Sequence, residues 1–268
     1  MNEQEKLRAI QSEILDYIVR ICNENELKYC LVYGTALGAY RHEGFIPWDD
    51  DIDIALPEYD YCRLKSIISE DDSQFVFQDM YTEKKYYMLF GKVRKKNTLF
   101  IESITEEPLT ENGIYVDVFP LFSVEKKKRR MVIIVNYLKH IVKFTSHKRL
   151  YKNKYSPLKF IISTLISVPA VLLGPNRVLR ILNYYIKKNI NNGAQYLAEF
   201  DETGEIQIID SSIYFPTKSL MFEGKYYNCP GKIRDYLLIA YGNDYMQLPP
   251  ENERRTHNPT KVDFGDSE

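Results

Sequence analysis

Residues 34–54 read GTALGAYRHEGFIPWDDDIDI, and the fold is interpreted outward from this stretch. An apolar run rich in aromatic and β-branched residues precedes it and predicts a buried strand over residues 27–33. Gly34-Thr35 then turns the chain into a short helix, residues 35–42. Charged and apolar residues alternate over 51–56, which predicts a second strand. The stretch therefore predicts strand, glycine turn, short helix and strand in succession.

Two acids stand two residues apart on the second predicted strand. Asp51 and Asp53 would project from one face while Ile52 and Ile54 enter the core. Without a cation, one of two such carboxylates should resist ionising. Oxygen ligands without a nearby thiol or imidazole favour Mg²⁺ or Mn²⁺, which complete their shells with phosphate oxygens. The pair predicts a metal site, with an acidic surface turn or a Ca²⁺ loop as the alternative.

A third acid is isolated in a strand-like segment. Residues 113–120 read GIYVDVFP, and Asp117 is the one charged residue among strand-forming neighbours. An acid in such a position has no packing role. Asp117 is therefore the candidate third carboxylate of a two-metal phosphoryl-transfer site.

Taken together, Gly-Thr after one strand, Asp-x-Asp on the next and a lone Asp on a third resemble the nucleotidyltransferase superfamily. Within it, GTALGAYRHEGFIPWDDDID over residues 34–53 is similar to the signature of the LicD phosphotransferase family, to which fukutin-type proteins are also similar. The LicD family shares the long loop between Thr35 and Asp51. Weaker similarities extend the resemblance over most of the chain outside residues 125–200: they lie at 92–94, 221–224, 241–242 and 248–250.

The resemblance implies an α+β fold. We expect a nucleotidyltransferase-like mixed sheet flanked by helices, with an inserted basic helical segment. The catalytic core would comprise residues 1–124. Residues 125–200 would form the partly apolar insertion, and residues 201–268 would complete the catalytic domain.

The resemblance also implies an activity. The protein would move a phospho-alcohol, such as phosphocholine, from a CDP-linked donor to a hydroxyl of a cell-surface glycan or its lipid-linked precursor, in lipopolysaccharide, teichoic acid or capsule biosynthesis. Asp51, Asp53 and Asp117 would hold the cations, and Asp117 would act as general base. Two alternatives remain open: a nucleotidyltransferase that moves a nucleoside monophosphate to a small molecule or RNA, and a non-catalytic membrane-associated assembly module.

Residues on the short helix are candidates for binding the donor. The amides of Gly34 and Thr35 at its start could donate to an anion. Arg41, with His42 beside it at the helix end, is the candidate that grips the donor diphosphate, because a planar guanidinium suits phosphate. A plain turn and a surface arginine are the structural alternatives.

Further candidates flank the acids. Trp48 would wall the site or stack on a base or quaternary ammonium group, unless it is simply core. Asp49 shares the face of the Asp51 and Asp53 pair, whereas Asp50 is expected to point elsewhere into solvent. Lys92 and Arg94 share a face of a predicted strand, where they could reach phosphate oxygens or be solvated.

The segment from 126 to 198 has a distinct composition. It carries sixteen Lys and Arg and no Asp or Glu, which leaves 20 basic against 37 acidic residues elsewhere. Fourteen residues, 160–173, carry no charge and fall short of the ~20 needed to span a bilayer. This pattern favours an interfacial element on an anionic membrane surface. The alternatives are a buried helix and a nucleic-acid surface, and we expect no nucleic acid because its aromatic and glycine-rich signatures are missing.

The four cysteines form no C-x-x-C pair, and residues 1–15 lack the apolar core of a secretory signal. We therefore expect a cytoplasmic protein, peripheral at the inner face of the cytoplasmic membrane. Residues 3–24 carry an apolar helical stripe expected to pack over the first strand. Other predicted elements are a helix after Pro57, strands at 75–78, 86–94 and 98–101, two strands within 220–227, and a helix over 230–241 ended by Gly242.

Overall fold

The structure is a computed structural model in which residues 2–86, 88–102, 109–125, 134, 141, 144, 156–188, 193–200, 206–254, 256 and 259–265 are described. Its helices are α1 (Glu3–Glu24), α2 (Tyr33–His42), α3 (Glu58–Glu70), α4 (Pro157–Leu173), α5 (Pro175–Lys188), α6 (Ser211–Tyr214) and α7 (Ile233–Tyr241). Its strands are β1 (Cys30–Leu31), β2 (Asp53–Pro57), β3 (Phe75–Gln78), β4 (Gly91–Lys95), β5 (Leu99–Ile101), β6 (Tyr115–Val124), β7 (Tyr196–Phe200), β8 (Ile206–Asp210), β9 (Lys218–Phe222), β10 (Lys225–Cys229) and β11 (Lys261–Asp263). The predicted α+β class, a mixed sheet flanked by helices, is confirmed.

A seven-stranded sheet forms the centre of the fold. Five strands follow the order β1-β2-β6-β4-β3, and β7 and β8 continue from the far end of β6. The pairing of β2 with β6 is parallel, whereas the other ladders of this sheet are antiparallel. β6 is therefore the strand on which both halves of the sheet are assembled.

Burial explains the length of β6. Nine of its ten residues are buried, because helices pack against its first half and β7 pairs with its second half. A strand covered in this way reads as a continuous apolar run. Asp117 is the exception within that run and is only 2 % exposed.

α1 lies against β4, β6 and α3 through its predicted apolar stripe. A capping box begins the helix: Glu5 N donates to Asn2 Oδ1 at 2.8 Å, and Asn2 N donates to Glu5 Oε2 at 3.0 Å. Ile14 and Ile18 are completely buried. The apolar stripe therefore packs mainly on β4 and β6, whereas it was expected to pack over the first strand, and the helix also holds the loop described below.

The first strand is shorter than predicted. β1 covers Cys30–Leu31 alone, and α2 already begins at Tyr33. Tyr33 has φ of +46°, a left-handed conformation that bulky residues rarely adopt. Its N–H donates at 3.0 Å to the hydroxyl of Tyr236 in α7, which fixes the bend. Gly34 and Thr35 are therefore first-turn helical residues rather than a separate turn.

The C-terminal part returns to the core. β9 and β10 form the predicted hairpin, and α7 ends at Gly242, whose N–H donates to Leu238 O at 2.9 Å. β11 pairs antiparallel with β5, so the last described strand lies beside the middle of the chain. α2 packs against both α7 and β9.

Much of the stretch 125–200 lies outside the described residues, including the basic run at 126–130. Its described part contains α4, α5 and the strand β7, and α5 bonds to the core through Asn176, whose side chain donates to Met80 O at 2.7 Å. Among the described residues, no helix combines the length and the apolarity needed to cross a bilayer.

Candidate active site

Parallel pairing of β2 and β6 brings two of the predicted acids together. Asp53 and Asp117 are direct partners in the ladder, and Asp117 N donates to Ile52 O at 2.9 Å. One carboxylate oxygen from each of Asp51, Asp53 and Asp117 lies within 4.8 Å of the other two. The three acids predicted from separate segments therefore meet in one cluster.

The loop before β2 adds further acids. Asp51 precedes the strand instead of belonging to it, and the carboxylates of Asp49, Asp50 and Asp51 also lie within 4.8 Å of one another. Asp50 is only 8 % exposed, so the expectation that it points into solvent was wrong. The cause is the irregular backbone before β2, where the strict alternation of a strand does not apply.

The start of α2 fixes the acid strand and approaches the acids. Asp53 N donates to the buried hydroxyl of Thr35 at 2.8 Å, which ties β2 to α2. A methyl group built on Gly34 would meet Asp49 Oδ2 at 2.6 Å, so only glycine lets this carboxylate lie against the helix. The structure thus brings Gly34, Thr35 and Asp49 to the acid cluster, as the sequence predicted.

Lys92 neutralises part of this negative charge. It is the ladder partner of Asp117 on β4, and its ammonium lies 2.8 Å from Asp117 Oδ1 and 3.6 Å from Glu102 Oε1. The group is fully buried and sits 3.4 Å from the ring centroid of Tyr115. The alternative of a solvated strand face is therefore excluded for Lys92.

Arg94 is also buried, at 4 % exposure, but its contacts lead away from the acids. Its Nε donates to Gln78 Oε1 and its Nη1 to Gly113 O, both at 2.6 Å. The guanidinium also packs on the ring of Tyr115. These bonds hold β4, β3 and the approach to β6 together, a structural task that the shared face with Lys92 did not reveal.

The loop that joins α2 to β2, residues 43–52, carries Asp49, Asp50 and Asp51, and we call it the acid loop. Two side chains of α1 bind its backbone. Nη2 of Arg8 donates to the carbonyls of Ile46, Pro47 and Asp49 at 2.9, 3.0 and 3.0 Å. Gln11, buried beneath the loop, donates to Asp50 O at 2.7 Å. Sequence reasoning missed both residues, although Gln4, Arg8 and Gln11 form a polar row at i, i+4 and i+7 along one side of the helix.

The β9–β10 turn holds the other end of the same loop. Glu223 Oε1 accepts from Phe45 N at 3.0 Å, and Glu223 N donates to Glu43 O at 3.0 Å. The rings of Phe45 and Phe222 pack with centroids 4.9 Å apart. The weak sequence similarity at residues 221–224 thus corresponds to a second contact with the acid loop.

Arg41 and His42 lie at the end of α2, beside the C-terminal segment. Arg41 Nη1 donates to Tyr245 O at 2.7 Å, and its Nε donates to His42 Nε2 at 2.9 Å. Burial, followed by the charge of Arg41, lowers the pKa of His42, in accord with an imidazole that accepts this bond. Within the described residues, Nη2 of Arg41 makes no hydrogen bond.

Tyr241, at the end of α7, is close enough to Arg41 and to the acids to interact with both electrostatically. Burial of its phenol raises its pKa most, and the carboxylates of Asp53, Asp49 and Asp51 raise it further. The pKa of Arg41 is lowered by burial and partly restored by Tyr241. Tyr241 therefore borders the acid cluster, which its place in a C-terminal helix did not indicate.

Trp48 lies within the acid loop and is half-buried against the core. The guanidinium of Arg254 lies 4.5 Å from its ring centroid, a cation–π distance. The tail therefore folds back onto the site at Arg254, whereas Arg255 and His257 lie outside the described residues. Trp48 thus joins the acid loop to the C-terminal segment in this arrangement.

Sequence comparison identifies the family that shares this constellation. The LicD/FKTN/FKRP nucleotidyltransferase domain matches residues 26–169, more than half of the chain and the whole span from β1 to α4. The chain belongs to the LicD family. It is therefore a LicD-type phosphotransferase.

Two relatives illustrate the similarity to other members. The lipopolysaccharide cholinephosphotransferase LicD of Haemophilus influenzae is 26 % identical over 248 residues, which cover 91 % of each chain. An uncharacterized protein of Rickettsia prowazekii, RP689, is 42 % identical over 50 residues, 19 % of each chain. The similarity to the Haemophilus LicD protein thus covers nearly the whole chain.

Proposed function

We propose that this LicD-family protein transfers a phospho-alcohol from a CDP-linked donor to a hydroxyl of a cell-surface glycan or its lipid-linked precursor. Phosphocholine is the first candidate, because the Haemophilus relative that matches 91 % of the chain is named a cholinephosphotransferase that acts on lipopolysaccharide. The observation that carries the proposal is the meeting of Asp51, Asp53 and Asp117 within 4.8 Å.

The acid cluster fits a divalent cation. Its donor atoms are carboxylate oxygens, the hard ligands that Mg²⁺ and Mn²⁺ prefer, and no thiol or imidazole belongs to either set of three acids. We propose Mg²⁺, or Mn²⁺ in its place, held by Asp51, Asp53 and Asp117. When bound, such an ion would neutralise charge on the donor diphosphate and on the leaving group.

Residues of the chain would transfer the proton and bind the donor. The acceptor hydroxyl attacks the phosphorus that carries the alcohol, the bond from that phosphorus to the bridging oxygen breaks, and CMP leaves. Asp117, which pairs with Lys92, would accept the proton of the hydroxyl. Nη2 of Arg41 would donate to non-reacting phosphate oxygens. Gly34, Thr35 and Asp49 would shape the donor site, with His42 and Trp48 at its border.

A panel of CDP-alcohols tests the reaction. Incubation of the protein and Mg²⁺ with CDP-choline, CDP-glycerol and CDP-ribitol, each with a glycan acceptor, should release CMP with one donor and label the acceptor. Release of pyrophosphate from a nucleoside triphosphate would instead indicate a nucleotidyltransferase. Metal binding without cleavage of any donor would indicate a non-catalytic assembly module.

Asparagine variants test the assignment of the acids. Asp51→Asn and Asp53→Asn should lower turnover by ~10²-fold or more, because each removes a charge while preserving the shape of the side chain. Circular dichroism should show an unchanged fold, and Asp72→Asn, which removes an exposed carboxylate between α3 and β3, should keep full activity. An asparagine variant that keeps most of its activity would contradict the metal assignment.

We also propose that the enzyme works at the inner face of the cytoplasmic membrane, in the cytoplasm, because a lipid-linked acceptor must be met at a bilayer surface. The excess of Lys and Arg over residues 126–198 supports this location. Residues 125–200 would then form the insertion through which the catalytic core, residues 1–124 and 201–268, approaches the bilayer.

A further inference from the structure

α4 exposes its aliphatic side chains. Six of them follow one face of the helix at spacings of three and four residues and form what we call the α4 stripe: Leu158, Ile161, Ile162, Leu165, Val168 and Leu172. Their exposed fractions run from 44 % for Val168 to 79 % for Leu172. A surface helix of a water-soluble domain has the opposite arrangement, with its apolar face against the core.

The polar side chains of the same helix lie on its protected side. Ser167 is only 2 % exposed, and its hydroxyl donates to Ser163 O at 2.6 Å. Thr164 donates in the same way to Phe160 O at 2.8 Å. The hydroxyl groups are therefore satisfied by the carbonyls of their own helix, so α4 needs no water for them. This inverted arrangement suits an apolar environment on the exposed side.

Positive charge surrounds the stripe. Lys159 lies within α4, and Arg177 and Lys188 are exposed on α5, the helix that packs against α4. No acidic residue occurs from 126 to 198, where sixteen basic residues occur. Exposed aliphatic residues beside basic residues complement the two layers of an anionic bilayer surface: acyl chains and acidic headgroups.

We propose that the α4 stripe enters the interfacial layer of an anionic bilayer, with the neighbouring basic residues at its headgroups. The inference rests on the proposed function, because a lipid-linked acceptor gives the enzyme a reason to be held at this surface. α4 would lie in the interfacial plane, since its seventeen residues do not form a membrane span. A bilayer is favoured over a second copy of the chain because the surrounding charge has one sign and would oppose itself in a symmetric contact.

Flotation of the full chain with vesicles tests the proposal. The protein should float with vesicles of phosphatidylcholine and phosphatidylglycerol, and much less with phosphatidylcholine alone. Ile161→Glu combined with Leu165→Glu should weaken flotation by about tenfold or more, because two aliphatic side chains would no longer be buried in lipid. The matched control is Leu238→Glu on α7, since Leu238 is 45 % exposed, and it should float as the wild type does.

Three outcomes would overturn the proposal. The double variant could float as well as the wild type, the Leu238 control could lose flotation equally, or sedimentation without lipid could show a dimer that the double variant dissociates. A second measurement keeps the test valid if the double variant fails to fold. A polarity-sensitive fluorophore attached to Leu165→Cys should shift its emission to the blue when vesicles are added. The same label on Leu238→Cys should show no shift.

Donor cleavage separates this inference from the function itself. When the acceptor is a soluble glycan, the double variant should release CMP from the active CDP-alcohol at the wild-type rate. It should release CMP more slowly than the wild type only when the acceptor is embedded in vesicles. Loss of vesicle binding with retained cleavage supports both conclusions. Absence of donor cleavage in the wild-type protein would remove the proposed function, whereas the flotation result would still decide whether the α4 stripe binds a bilayer.

Discussion

At the scale of single residues, Lys92 carries a full positive charge without solvent contact. Its ammonium is held between the carboxylates of Asp117 and Glu102 and above the ring of Tyr115. A buried charge of this kind is stable only while its partners remain, and removal of one partner leaves the other charge uncompensated. Lys92 therefore supports both the fold of the central sheet and the charge balance of the acid cluster.

Lys92→Met should destabilise the protein by ~3–5 kcal/mol, because Asp117 and Glu102 would be left buried without their cation. The matched control is Lys95→Met on the same strand, where the ammonium pairs with Glu13 in a partly exposed bridge of 2.8 Å worth ~0–1 kcal/mol. The measurement is the free energy of unfolding in urea. Equal losses for the two variants would show that the buried pair has no special role.

At the scale of elements, α1 acts as a support for the loop that presents the acids. Arg8 donates to three backbone carbonyls of that loop, and Gln11 donates to a fourth. Both donors come from a rigid helix packed on the central sheet, so the loop inherits its position from α1. An error of about 1 Å in such a position costs up to ~10²-fold in rate.

Arg8→Met should therefore lower kcat by about 10²-fold while the KM for the donor changes little, because the loop would lose its three carbonyl contacts without losing a ligand. Arg8→Lys should restore part of the rate, since the ammonium of the shorter side chain can reach some but not all of the three carbonyls that Nη2 binds. Arg20→Met on the same helix removes an exposed bridge to Glu24 and a contact with the ring of Tyr17, neither of which involves the acid loop, and should leave kcat unchanged. A loss in kcat no larger for Arg8→Met than for Arg20→Met would refute the positioning role.

Local patterns predicted most elements but not the geometry between them. β3 has the predicted bounds, and α1 and the end of α7 agree closely with the capping and glycine signals. β1 was overestimated because the left-handed bend at Tyr33 is fixed by Tyr236, a residue far along the chain. The burial of Asp50 and the contacts of Arg8 likewise depend on the packing of α1 against the loop, which no short-range pattern encodes.

Sequence patterns predicted those residues of the candidate site whose side-chain type did not fit an ordinary packing role at their position. Asp117 was identified because an acid in an apolar strand has no packing role, and Asp51 and Asp53 because two acids at i and i+2 share a face; the structure brings the three together. Arg94 shows the limit of the same reasoning: its alternation with Lys92 gave the correct strand face, whereas its partners Gln78 and Gly113 decide what it binds.

At the scale of the whole molecule, folding and metal binding should be linked, because the proposed ligands come from the acid loop, β2 and β6. Mg²⁺ at ~100 times its dissociation constant would stabilise the native state by about 2.7 kcal/mol. The wild-type Tm should therefore rise by several degrees on Mg²⁺ addition. Asp117→Asn should abolish the rise and Asp72→Asn should keep it. An undiminished rise in Asp117→Asn would place the ion elsewhere.

The parallel pairing of β2 with β6 has a consequence for biosynthesis. Asp53 leaves the ribosome long before Asp117, because α3, β3, β4 and β5 lie between them in the chain. A nascent chain that ends before β6 can display the aspartates of the loop but has no strand to set beside β2. Asp51, Asp53 and Asp117 can therefore form their cluster only after β6 has been synthesised and has paired with β2.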